Sequence, residues 1–355
     1  MKRSVIYATK VAVPYKHAQS IQIEKMFRAM DRKFGDKALL FSGSSGGSSS
    51  DFQHVSFRIK SRFDHIRFLI RYVRLLLVQG SEKIFTRDVD LAFLALIFSR
   101  AEVFLELHHE YERSLSKKLF SVVKRAKRMR LVFISDALRH YFVQQHELPE
   151  SQIVVHDACD RLEDLPETVA IPSETANKMW AAPSVVHCGK FSESKGGKTF
   201  VELAALNPNF LFVQIGDALA DTDKAILAEA ADLDNFLHIP QVAPEEVQGY
   251  LDKADVLFFP MTKSNKYWWC TSPLKLFDYI QSGKPIVGNI IGSSAEIDLG
   301  PGFFEFNAND NASARAALAA ALQLDEDEKE RIRVHGQEMA IHHNWDTRVV
   351  SILGT

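Results

Sequence analysis

Cys270–Gly288 reads C-T-S-P-L-K-L-F-D-Y-I-Q-S-G-K-P-I-V-G, a helix start, a sharp stop and a short strand in nineteen residues. Ser272 suits an N-cap and Pro273 a first helical position, so the spacing predicts a helix opening there with its N–H groups facing outward. Such an end attracts an anion. Lys275 lies in the first turn, where a cation opposes the helix dipole, and this points to an external anion as its partner. Asp278 follows one turn on, within reach of the same ligand. Gly283 closes the helix, Pro285 prevents its continuation, and Ile286-Val287 reads as a buried strand. Taken alone the segment is either a phosphate-binding helix, hence part of a nucleotide-binding enzyme, or an ordinary capped helix of an α/β domain.

Working outward, the chain alternates strand and helix signals on both sides of this segment. Val5–Thr9, Ala38–Phe41, Lys83–Thr86, Val103–Leu107 and Leu131–Ser135 read as buried strands, with helices over Ala18–Lys33 and Asp136–His146. The rhythm restarts at Ser184–Cys188 and runs through Gly197–Leu206, Phe210–Ile215, Asp221–Ala231, Phe236–Ile239, Pro244–Lys253 and Val256–Phe259. That predicts an α/β fold of two Rossmann-like, doubly wound parallel-sheet domains, with ligands at the carboxyl ends of strands and an interdomain cleft as the site. The polar stretch Asp157–Pro183 reads as the connection, giving domains over 1–180 and 181–340 and a terminal helix over 341–355. The run Ser42–Ser50 has linker composition and is expected to be a loop.

The 355 residues suffice for two cores, and 46% hydrophobic with 25% charged residues is ordinary for a globular chain. No apolar run approaches the roughly 18 to 20 residues of a membrane span, and the first residues lack a secretory apolar region. A cytoplasmic location is the expectation. Cys159, Cys188 and Cys270 are scattered without zinc-site or disulfide-framework spacing. The net charge of −2 hides an asymmetry: up to residue 180 there are 29 basic and 21 acidic residues, and beyond it 14 and 24. Basic and apolar residues mix at helical spacing in Arg58–Arg74 and Arg113–Arg130, which suits either a solvated face over a core stripe or a helix on an anionic membrane. Nucleic acid is not indicated, because no aromatic stacking platform accompanies the charge.

A second motif, V-V-H-C-G-K-F-S-E-S-K-G-G-K-T-F, opens the second half. Gly189 allows close backbone approach after a strand, and Lys190 and Lys195 add charge. With the Cys270–Gly288 segment it resembles the donor site of the family 4 retaining glycosyltransferases, a GT-B-fold group. That family's patterns run G-R-x-x-x-x-K-G and S-P-x-K-x-x-E-x-x-x-x-G-x-P-V. Lys190 stands in the Arg position, which exchanges a bidentate grip for a point charge, and Asp278 stands in the second Glu position.

The resemblance implies that Gly189, Lys190, Lys195, Ser272, Pro273, Leu274, Lys275 and Asp278 bind a nucleotide diphosphate sugar, with Val242 beside the base. It also implies a metal-independent transferase that needs no separate cofactor. In the first half E-L-H-H-E puts two histidines at a strand end, and the resemblance implies that His108 lies near the reacting sugar, with His109 the alternative. The terminal N-W-D-T-R-V-V-S-I-L resembles the family helix that returns to the first domain. Two departures stand out. Cys270 occupies the place of the family's first Glu and cannot accept sugar hydroxyls as a carboxylate does. The loop after the first strand, V-A-V-P-Y-K-H-A-Q-S, has no glycine, leaving Lys16, His17 and Ser20 as acceptor-facing candidates. The implied acceptor is a hydroxyl of a saccharide or lipid-linked saccharide, as in surface polysaccharide synthesis. A nucleotide-sugar 2-epimerase and an inactive donor-binding subunit are the alternatives.

Overall fold

The computed structural model describes residues 2–14, 17–44, 51–165, 170–308 and 310–354. They fall into two compact units. The first takes in Met1–Asp157, Cys270–Ser272 and Trp345–Thr355, the second Ala158–Trp269 and Pro273–Asn344.

In the first unit, β1 (Arg3–Ala12), α1 (Ala18–Phe34), β2 (Ala38–Gly43), β3 (His54–Phe57), α2 (Arg62–Val78), β4 (Ser81–Thr86) and α3 (Val89–Phe98) come in order. Then follow β5 (Glu102–Leu107), α4 (Ser114–Val123), β6 (Met129–Phe133), α5 (Asp136–His146) and β7 (Ile153–Val154). The described strands form one sheet in the order β3-β2-β1-β4-β5-β6-β7, paired in parallel throughout. A parallel sheet is covered on both faces, which is why its strands are apolar runs: Val5, Ile6, Tyr7 and Ala8 of β1 are all buried. Winding reverses between β1 and β4, and this opens a crevice beyond their carboxyl ends.

The second unit carries α6 (Ser173–Ala181), β8 (Ser184–Cys188), α7 (Gly197–Leu206), β9 (Leu211–Ile215), α8 (Asp221–Ala230), β10 (Phe236–Ile239), α9 (Pro244–Lys253) and β11 (Val256–Phe259). It continues through α10 (Leu274–Gln281), β12 (Ile286–Gly288), β13 (Phe303–Glu305), α11 (Asn311–Leu322) and α12 (Glu326–His342). The last helix, α13 (Trp345–Leu353), belongs to the first unit, where it packs on α1. The order β10-β9-β8-β11-β12-β13 again reverses, here between β8 and β11.

Three expectations differ from this arrangement. The division falls at Asp157/Ala158 and not at 180, because Cys159, Ile171, Ala176 and Met179 join the second unit's core. The presumed connection contains a helix, α6, whose buried Ala176 and Met179 are hidden among polar neighbours. Ser42 and Gly43 end β2 instead of beginning a loop, with Ser42 buried and hydrogen-bonded to His54 at 2.7 Å. Residues 45–50 lie outside the described residues, as does Lys16. Among the described residues no helix is long and apolar enough to cross a membrane.

Candidate functional site

At the second unit's switch point, β8 ends in Cys188 and the chain turns at Gly189 with φ 125°, a conformation that excludes side chains. A Cβ at Gly216, after β9, would lie 2.5 Å from the Gly189 carbonyl oxygen, so Gly216 needs glycine for close approach as well, while Gly189 needs it for its backbone angle. Lys275 on α10 reaches the same turn: its Nζ lies 3.9 Å from where a Gly189 Cβ would stand. Lys190 and Lys195 follow on the loop, both exposed. Gly189, Lys190, Lys195 and Lys275 are thus brought together.

Lys275 is half-buried, and its Nζ sits 2.9 Å from His187 Nε2. Loss of water, then the charge of Lys195, pushes its pKa down to about 7. Lys195 is lowered for the same first reason and then by Lys190. His187 is fully buried on β8, beside its register partner Gln214 on β9. The Gln214 Nε2 donates to the Gly189, Ile215 and Gly216 carbonyls at 2.9, 3.1 and 3.2 Å. Its Oε1 therefore faces His187 Nδ1 at 2.7 Å and must accept from it, leaving Nε2 as an acceptor toward Lys275. Burial, then the charge of Lys275, holds His187 well below its usual pKa. Neither His187 nor Gln214 was expected at the site. The signal available was weak: polar residues at equivalent places in two otherwise apolar strands.

The helix start differs from the expected one. α10 begins at Leu274 with Pro273 as N-cap and no side-chain cap. The Ser272 hydroxyl instead accepts from the Asp157 N–H at 2.8 Å, within the first unit. Asp278 is half-buried on α10, and Val242 is half-buried in the loop between β10 and α9, against the unit's core. Tyr279 on α10 accepts from the Cys188 N–H at 2.8 Å, which ties the helix to the end of β8.

In the first unit the crevice between β1 and β4 continues into a cavity of about 450 Å³, lined among others by Thr9, Lys10, Arg87, Asp88, His108 and Tyr111. His108 is half-buried, with Nε2 2.8 Å from Glu106. Burial and then Arg87 push its pKa down to about 4, so it is a neutral imidazole at neutral pH. His109 is exposed and meets its neighbour's carbonyl, the Glu110 oxygen, at 2.8 Å. Both histidines line the cavity, and His108 is the more buried of the two and is paired with Glu106. Buried Glu106 also pairs with Arg348 of α13, whose Nε donates to the His156 carbonyl at 2.7 Å. Against the upward push of burial, Arg348, then His108 and Arg87, hold Glu106 well below the carboxylate range. Asp157 is pushed up to about 6, chiefly by burial.

Cys270, also in the first unit, is buried and its carbonyl accepts from Ser135 at 3.0 Å. Burial, with Glu110 adding, pushes its thiol up to about 12, so it is a neutral group. Trp268 and Trp269 are half-buried, and Lys263 lies over the Trp268 ring at 5.2 Å. Among the described residues no three His, Cys, Asp or Glu side chains gather so as to hold a metal ion.

No family model matches the chain. The putative teichuronic acid biosynthesis glycosyltransferase TuaH of Bacillus subtilis is 29% identical over 100 residues, which is 28% of this chain and 25% of that protein. The matched stretch therefore spans a quarter of the curated relative's length. Among solved structures, Anabaena Alr3699/HepE in complex with UDP and glucose superposes with a TM-score of 0.72 at 14% identity, over 99% of this chain and all of that one. The glycosyltransferase from Rickettsia africae ESF-5 gives 0.72 at 13% identity, over 99% and 96%. These are GT-B structures, and the chain has the GT-B fold: two Rossmann-like parallel-sheet domains.

Proposed function

We propose that the protein is a glycosyltransferase that moves a sugar, with retention, from a nucleotide diphosphate donor to a hydroxyl of a saccharide or lipid-linked saccharide. The observation that carries this is the convergence of Lys190, Lys195 and Lys275 on the Gly189 turn at the β8/β11 switch point. Three cations beside a close-approach turn suit a leaving diphosphate, whose charge grows as the glycosidic bond breaks. In this reading the lysines supply that positive charge without a metal. The neutral His108 imidazole orients the reacting sugar, with Glu106 fixing its ring. HepE's structure with UDP and glucose supports a nucleotide sugar as ligand, and TuaH's description supports a role in surface polysaccharide synthesis.

The same reading places the protein in the cytoplasm, peripheral on an anionic membrane face, through α2. Phe68, Tyr72 and Leu76 turn inward, while Phe63, Ile66, Ile70, Leu77 and Val78 are exposed beside exposed Arg62, Arg67, Arg71 and Arg74. A helix with two apolar sides, one carrying arginines, fits an acidic lipid surface better than water. On α4 the exposed Leu115 and Val122 beside Lys117 and Lys118 extend the same chemistry.

Incubating the purified protein with a panel of nucleotide sugars, with and without chelator and acceptor extract, tests the activity. Slow donor hydrolysis and transfer that survive chelation support the proposal. Interconversion of sugars without nucleotide release would replace it with the epimerase, and binding without turnover with the donor-binding subunit.

A further inference from the structure

Lys275 sits where a cation is costly. Facing it are His187 and Cys188 from β8, Lys195 from the next loop and, at 5.8 Å, the Tyr279 ring of its own helix. The Phe259 ring lies 5.6 Å away. Among the described residues its Nζ forms no ion pair with a carboxylate, and its close polar contact is with His187. Its close polar partner is instead a buried imidazole whose lone pair is fixed by a chain of bonds through Gln214 to the carbonyls of the Gly189 and Gly216 turns. The β8–β9 pair therefore holds the lysine nitrogen against the turn whether or not that nitrogen carries a charge. Neighbouring lysines that form no ion pair among the described residues resolve their repulsion either by binding an anion or by shedding a proton.

Resting on the donor-site reading, we infer that the empty site sheds that proton at Lys275 and that binding of a nucleoside diphosphate returns it, one proton from solvent converting the neutral amine to ammonium as the anion arrives. His187 and Gln214 are the positioning residues that keep the nitrogen aimed at the turn. The lowered Lys275 pKa agrees with this geometry. Neighbouring Cys188 and Tyr279, both shifted upward by burial, stay neutral through the relevant range. Donor binding would thus weaken as pH rises.

Calorimetric titration of the full chain with UDP at pH 8, in buffers of different ionisation enthalpy, measures the proton count directly. UDP itself is fully ionised there. Uptake of about 0.9 proton is expected, with affinity falling about eightfold between pH 7.5 and 8.5. Lys275→Arg, always charged, should bind UDP with no uptake. His187→Leu should lose about tenfold in affinity yet keep the uptake, because the titrating group is the lysine. Binding of UDP without uptake overturns the inference and leaves the donor site standing. Uptake that survives in Lys275→Arg but vanishes in His187→Leu assigns the proton to the imidazole and overturns it as well.

A ligand-free measurement keeps the test independent of which base the site prefers. The rate of acylation of Lys275, followed by mass spectrometry against pH, should show a midpoint near 7, and inorganic pyrophosphate should suppress labelling. A midpoint near the ordinary lysine value refutes the proton exchange. If the midpoint is low but neither UDP nor pyrophosphate protects, the donor-site reading fails and takes the inference with it.

Discussion

Replacing Arg348 by Met tests whether the first unit is held together by a buried charge network at its cavity wall. The Arg348 guanidinium is fully buried and pairs with Glu106, itself 3% exposed, and with the His156 carbonyl. Methionine keeps the volume and removes the charge, leaving Glu106 with His108 at 2.8 Å and Arg87 at 3.8 Å. Because His108 is neutral, one distant guanidinium then faces a buried carboxylate. Breaking a buried pair in this way costs about 3 to 5 kcal/mol, most of it the price of the stranded anion. For a unit of this size that corresponds to a fall of roughly 6 to 20 °C in melting temperature.

The sign of the pH dependence adds a second reading. In the parent, Glu106 has a lowered folded pKa, so its stabilisation is present above the unfolded value of 4.5 and is lost only on strong acidification. In Arg348→Met the folded pKa rises above that value, and the variant gains relative stability as pH falls from neutral toward 5. Glu106→Gln in the Arg348→Met background should recover most of the loss, since the stranded charge is gone. Thermal and urea melts at pH 5 and 7.5 decide it. A single-variant loss under 1 kcal/mol, or a double variant no better than the single, would refute the network as described.

Lys195→Ala should weaken UDP binding by about 1.5 to 3 kcal/mol, the range for a charge-assisted hydrogen bond; unchanged affinity by calorimetry would remove Lys195 from the site. Lys275 has a folded pKa below its unfolded value of 10.5, so the folded state holds fewer protons and parent stability rises with pH from about 7 to about 10. Lys275→Met should therefore be the more stable protein at pH 6, by a few kcal/mol, with the gap closing by pH 10 in melts. Ile66→Glu with Ile70→Glu alters only exposed positions of α2; it should leave melting unchanged and abolish flotation with anionic liposomes. Equal flotation of parent protein with neutral and anionic lipid would sink the membrane reading.

The fold was legible because parallel strands buried on both faces are written as apolar runs, and helices between them as 3.6-periodic stretches. Ser184–Cys188, Gly197–Leu206, Phe236–Ile239 and Pro244–Lys253 begin and end where the sequence puts them. β3 escaped notice because an edge strand reading H-V-S-F is half exposed and short, and α6 because two inward residues are too few to mark a period. At the candidate site, the Gly189 turn and Lys190, Lys195 and Lys275 were legible as glycines and lysines, whose chemistry is local. What was not legible depends on register. His187 and Gln214 are 27 residues apart and meet only because β8 and β9 pair as they do. Glu106 and Arg348 are 242 apart and meet only through the return of α13. Ser272 carries every local mark of an N-cap, yet its hydroxyl is taken by a backbone N–H 115 residues away. The same distinction separates what the lysines do from what sets their strength. Charge can be read from residue type, but how far Lys275 is pushed down is decided by the water it loses and by Lys195, which a loop eighty residues earlier in the chain brings near it.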